Sequence, residues 1–241
     1  MVFLLPELYE GLLGEVAEEV ESVFAAIGDL GEELGSLLAG AAVSARGAAV
    51  REDLTALRPG ITGLLQQHGA LIKGAGVIFV PGVLADVPRW IEWWWWRASS
   101  APEALRVNLD PEVPDHYDYL SAEWYRIPVN SGVRHVTGPY VDYECTNEYA
   151  VTLSLPVTLD GRIVAVAGSD LVVSGLEERV LPRMCKMARP LALINAQGRV
   201  VLSSSPDWTP GMLHPSAGSM RSEIEVACAC ASPLPWVPVG F

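Results

Sequence analysis

Aromatic rings and carboxylates crowd one span of this chain. Tyr117, Trp124, Tyr125, Tyr140, Tyr143 and Tyr149 stand near Asp142, Glu144, Glu148 and Asp170. The negative face of a ring attracts an ammonium ion and a carboxylate neutralises it, so this composition fits a pocket for a small cation. Tyr117, Trp124, Tyr125 and Tyr140 read as its walls, Asp170 as the acceptor of the ammonium, and Asp142 or Glu148 as a second anion. The plainer alternative is a hydrophobic core; acids interspersed among the rings favour the pocket.

Other chemistries have less support. The sequence holds no G-x-S-x-G, no H-E-x-x-H, no phosphate-binding loop and no cysteine with an adjacent histidine. Asp142 and Glu144 on a strand bind or solvate more simply than they would serve as a glycosidase pair. His116 and His135 together with Asp142 and Glu144 could be drawn as a metal set, but their spacing does not demand one, and neither a metal nor a cofactor is expected. Cys145, Cys185, Cys228 and Cys230 read as buried structural thiols, with Cys228 and Cys230 on one side of a last strand over residues 221–230.

The elements that must carry these side chains are legible around Asp170. Residues 150–157 alternate as a half-buried strand does, Asp160-Gly161 is a hairpin turn signal, and residues 162–167 form an apolar, β-branched run ending at Gly168. An antiparallel hairpin is predicted, with Asp170 at its exit.

Those segments, W-Y-R-I-P, G-P-Y-V-D, T-L-S-L-P-V, D-G and V-A-V-A-G-S-D-L, in that order, resemble the signature of Cache domains, the PAS-like extracellular sensor fold also called PDC. The resemblance spans residues 74–201. It implies an α+β fold in which a long N-terminal helical segment packs on a PAS-like antiparallel sheet. One amino-acid-binding group of that superfamily carries Tyr, Arg, Trp-Tyr, Tyr and Asp in order; the matching positions are Tyr117, Trp124, Tyr125, Tyr140 and Asp170, with Ala122 at the arginine position. In that group the arginine and its neighbours grip the ligand's carboxylate, whereas Asp and Tyr hold its amino group. Losing the bidentate clamp while keeping the anion and the rings implies a ligand defined by its amine. Arg126 nearby keeps an amino acid open.

The rest of the chain supports this scaffold. Residues 6–40 show an apolar stripe at Leu13, Val16, Val20, Phe24, Ile27, Leu30, Leu34 and Leu37, with Gly28, Gly31 and Gly35 as kink points. The stripe covers the chain's own sheet, and by the resemblance it also suits a homodimer. A helix is expected over residues 51–70, and Gly74-x-Gly76 precedes a strand at residues 77–80 rather than opening a helix, which excludes a dinucleotide fingerprint. Five of the eight tryptophans lie in residues 89–97, read as a helix packed on the sheet, one ring of which could close the pocket. A strand at 105–109, a proline-stiffened loop at 110–115, a helix at 176–187 and a closing hairpin through N-A-Q-G complete the pattern. Residues 1–70 are taken as a helical segment and 71–241 as the sensor module, joined as one unit.

A net charge of −13 and a pI near 4.7 argue against nucleic acid or an anionic membrane surface as partner. Without a basic n-region or an apolar run of about 18 residues, the chain reads as soluble and cytoplasmic. The resulting expectation is a non-enzymatic sensor that binds a small amine or amino-acid-like compound and signals to an unidentified partner. Rival readings are an enzyme acting on a small amine and a dimeric interaction protein with a vestigial pocket.

Overall fold

The computed structural model describes residues 3–4, 10–45, 47–96, 101–143, 147, 149–187, 189–215 and 234–240. Glu144, Cys145, Glu148, Cys228, Cys230 and the strand expected at 221–230 lie outside them. Contacts divide the chain into two compact units, Val23–Thr137 with Thr152–Asp170, and Met1–Ser22 with Gly138–Val151 and Leu171–Phe241.

The sheet strands are β2 (Ile72–Phe79), β3 (Ile91–Trp95), β4 (Glu103–Ala104), β5 (His135–Val141), β6 (Tyr149–Leu159) and β7 (Arg162–Val172), in spatial order β4-β3-β2-β7-β6-β5. This is the α+β, PAS-like arrangement expected. Asp160 and Gly161 join β6 to β7 with φ of 50° and 73°. Two left-handed residues twist a turn as the flanking strands twist, which is why Asp-Gly suits a tight hairpin.

In the first unit the sheet has a helical side and an open-chain side. The long helix α1 (Glu10–Ala42) runs unbroken through Gly28, Gly31 and Gly35. Gly28 and Gly31 meet the sheet: a Cβ on Gly28 would touch Leu155 at 3.9 Å, and one on Gly31 would crowd Val157 at 3.3 Å. Phe24, Ile27, Leu30 and Leu34 are buried as the stripe requires, while Leu38 replaces Leu37 as the inward residue near the end of the helix. Residues 51–70 form a 3-10 turn, Arg51–Leu57, followed by α2 (Arg58–His68).

Two expectations are corrected here. The tryptophan run is strand β3, not a helix, and the glycines of Gly74-x-Gly76 lie inside β2, not before it. The register gives the reason. Trp95, Trp94 and Trp93 stand opposite Gly74, Ala75 and Gly76, so the bulkiest side chains lie against the smallest partners. Strand alternation then sends Trp93 and Trp95 to one face and Trp94 to the other. On the α2 side, Glu92 accepts hydrogen bonds from the indole N–H groups of Trp90 at 3.1 Å and Trp94 at 2.9 Å. Arg51 and Arg58 lie over those two rings at 5.2 and 4.5 Å from the ring centres. The strand expected at 105–109 is also corrected: the strand is Glu103–Ala104, and the Leu105 N–H beyond it still donates to Trp93 O at 2.8 Å.

The second unit holds a sheet of order β1-β10-β8-β9, from β1 (Phe3–Leu4), β8 (Leu191–Asn195), β9 (Val200–Ser203) and β10 (Trp236–Gly240). Ala192, Ile194, Val200, Val237 and Val239 form its core, and Trp208 packs against them. Asn195 shapes the N-A-Q-G turn by accepting the backbone N–H groups of Gln197 and Arg199. Helix α4 (Val173–Met184) pairs Arg179 with Glu19 and Arg183 with Glu15 of α1. Cys185 just beyond it is exposed, against the expectation of a buried thiol.

Candidate functional site

The aromatic cluster lies on the face of the first unit's sheet opposite α1. Ile78 of β2, Ile91 and Trp93 of β3 and Val166 of β7 form its floor, with Tyr119 and Tyr125 buried among them. Tyr117 and Trp124, both half-buried, pack against that cluster, as do Trp95 and Leu120. The loop after β4 delivers Tyr117 and Tyr119: the Tyr117 N–H donates to Asn108 O at 2.7 Å, and the Tyr119 hydroxyl donates to Phe79 O, at the end of β2, at 3.0 Å. Helix α3 (Glu123–Ser131) then presents Trp124 and Tyr125. The rings meet edge to face, Tyr119 with Tyr125 at 5.1 Å and 87°, Trp124 with Tyr125 at 6.4 Å and 81°, the geometry their quadrupoles favour.

Asp170 stands on the same face. On β7, Val166, Gly168 and Asp170 alternate to one side, and Asp170 is only 7% exposed. Its Oδ1 accepts the Thr152 hydroxyl at 2.8 Å across the hairpin. Next to it, the Ser169 hydroxyl donates to Gly74 O at 2.9 Å, fixing β7 against β2. A Cβ on Gly74 would meet both Trp93 Nε1 at 2.5 Å and Asp170 Oδ2 at 3.2 Å. The carboxylate and the Trp93 indole therefore face the same point above β2.

Burial raises the pKa of Tyr119 to about 12 and pushes that of Tyr125 upward as well. Both phenols stay protonated through neutral pH, so each supplies an uncharged ring and an O–H.

The sequence-derived residues divide between the units. Tyr117, Trp124, Tyr125 and Asp170 belong to the first, Tyr140 and buried Asp142 to the second. Tyr143, at 78% exposed, and Tyr149 lie at the surface. Arg126, a conceivable carboxylate ligand, is exposed on α3. The two histidines of the conceivable metal set are engaged elsewhere: His116 Nδ1 lies 2.9 Å from Val113 O, and His135 pairs with Glu123 at 3.2 Å. Two buried rings of the cluster are missing from the set that the sequence suggests. Tyr119 is legible there as the neighbour of Tyr117 two positions on, whereas Trp93 is hidden by the helical reading of its segment.

Residues 86–178 match the family described as methyl-accepting chemotaxis protein-like, first PDC sensor domain. This stretch contains the whole aromatic cluster from Ile91 onward and Asp170. The chain carries the PDC/PAS-like α+β fold. Among solved structures, the extracellular domain of mmHK1S-Z3 is 13% identical, with a TM-score of 0.65 over 88% of this chain and 76% of that one. Methyl-accepting chemotaxis protein X is 14% identical with a TM-score of 0.60, covering 97% of both chains. The ligand-binding domain of Campylobacter jejuni chemoreceptor Tlp3, solved with L-valine, is 18% identical with a TM-score of 0.50 over 88% of this chain and 79% of that one. No curated protein matches the sequence. In this PDC fold the aromatic face of the sheet is covered by the loop and helix that follow the early strands, residues 105–131.

Proposed function

We propose that this PDC sensor domain binds a small amine or an amino-acid-like compound through its ammonium group, without turning it over. One observation carries the reading: the buried Asp170 carboxylate lies on the sheet face that bears Trp93, Tyr119 and Tyr125. A cation entering there gains charge neutralisation from Asp170 and ring attraction worth roughly 0.5–2 kcal/mol per contact. Tyr117 and Trp124 extend the aromatic wall; Tyr140 and Asp142 are kept as ligand-binding candidates from the resemblance. The L-valine bound by Tlp3 carries an ammonium group, which supports this ligand class. Ala122 at the family's arginine position removes a carboxylate clamp and shifts weight from amino acid to simple amine. Ordering of the loop that delivers Tyr117 would bias the helices for signalling.

The test is a thermal-shift screen of amines and amino acids on the wild-type chain and on Asp170→Asn, which keeps the side chain's shape and removes its charge. A ligand at about 100 times its Kd stabilises the native state by about 2.7 kcal/mol, a rise of roughly 5–10 °C in Tm. The rise is expected in the wild type and is lost in Asp170→Asn. Equal stabilisation by carboxylates lacking nitrogen would overturn the amine preference.

A further inference from the structure

Trp93 is anchored opposite Gly76 on β2, yet its indole extends across β2 as far as β7. A Cβ on Gly74 would collide with its Nε1 at 2.5 Å, and a Cβ on Gly168 would touch the far edge of the ring, Cζ3 and Cη2, at 3.7 Å. Neighbouring strands are about 4.8 Å apart, so one side chain lies flat over two strand spacings. It does so because Gly74 and Gly168 place nothing beneath it. Tyr119 and Tyr125 pack in the same cluster, and the N–H end of the ring reaches the point that Asp170 Oδ2 also faces. The area of sheet beside the carboxylate is thus already occupied by a ring held from below by glycine backbone and flanked by buried tyrosines.

We propose that Trp93 sets the size limit of the Asp170 site: compact ammonium compounds such as methylamine or ethylamine enter, and amines bearing an aromatic substituent are excluded. This rests on the reading of Asp170 as the ammonium acceptor. A compact cation reaches the carboxylate with the indole in place and gains the face of the ring as a neighbour. A larger substituent needs the area the indole covers, and displacing it means exposing one of the largest apolar surfaces in the cluster. The glycines make this a backbone-encoded limit: any side chain at residue 74 moves the ring.

The experiment measures affinities of methylamine, ethylamine, isobutylamine and benzylamine for the full chain by calorimetry, with thermal shift as a check on folding. In the wild type, benzylamine binds at least about tenfold more weakly than methylamine. In Trp93→Leu that ratio falls by about tenfold or more, because the glycine floor is uncovered. Gly74→Ala, which keeps both Trp93 and Asp170 but pushes a methyl group into Nε1, also changes the ratio. Should Trp93→Leu fail to fold, Trp93→Phe and Gly74→Ala decide the matter. If methylamine binds in an Asp170-dependent way and the benzylamine ratio is unmoved in the folded variants, Trp93 sets no limit, although the Asp170 reading stands. If no amine binds the wild type, both fall together.

Discussion

His214 shows how much a single ring can do in the second unit. It is 2% exposed, its ring centre lies 5.0 Å from that of Trp208, and its backbone N–H donates to Gly198 O at 2.9 Å. That hydrogen bond continues a run in which the N–H of Val200 donates to Met212 O and that of Gly211 to Val200 O, closing the loop over β9. Burial lowers the His214 pKa below the ordinary 6.5 because it disfavours the imidazolium. The sign follows directly. A folded-state pKa below the unfolded one means the unfolded chain binds the extra proton first, so stability is complete above about pH 6.5 and declines as pH falls through it. The expected outcome is a urea midpoint that drops between pH 7.5 and pH 5, with a smaller drop in His214→Gln. Equal drops in the two proteins would show that His214 is not the titrating group.

At the scale of elements, strand β3 is the most informative. Its odd residues build the aromatic face and its even residues bind it to α2, so one strand serves both sides of the sheet. Glu92 is the hinge of that second role, since a single carboxylate accepts two indole N–H groups while Arg51 and Arg58 cover the rings. Hydrogen bonds to a charged acceptor contribute more than neutral ones, and partial exposure of these groups reduces that, so Glu92→Ala is expected to cost about 1–2 kcal/mol. Denaturant unfolding reads the loss; an unchanged midpoint would mean water replaces the carboxylate at both indoles. The β6–β7 hairpin does a simpler job. Its turn fixes the register that brings Thr152 against Asp170, and a slip of one residue would turn the carboxylate to the α1 face.

For the whole molecule, charge acts in a way that no single contact reveals. The chain carries 29 acidic and 16 basic residues, a net charge of −13. On α1 alone, Glu15, Glu18, Asp29, Glu32 and Glu33 are exposed. Self-repulsion of that size destabilises the compact state and is screened by salt within a Debye length of about 8–10 Å at physiological ionic strength. Raising sodium chloride from about 10 to 150 mM should therefore raise Tm. A Tm that falls instead would assign more stability to ion pairs such as Arg51–Asp86 than to relief of repulsion. Among the described residues no helix is long and apolar enough to cross a membrane.

The sequence alone determined the parts whose signals are local. The stripe of α1 follows from a 3.6-residue period and the β6–β7 hairpin from alternation and Asp-Gly, although β7 runs on through Asp170 to Val172, past the exit that the run ending at Gly168 predicts. Tertiary structure decided what depends on residues far apart in the chain. Trp93 to Trp95 became a strand because Gly74 to Gly76 offered an edge with room for three indoles, a pairing that no window around the tryptophans contains. The burial of Tyr119 depends on a carbonyl 40 residues earlier, that of Phe79. Periodicity reports which way a side chain points along its own element; only the packed fold supplies the partner it points at, and the candidate site is made of such partners.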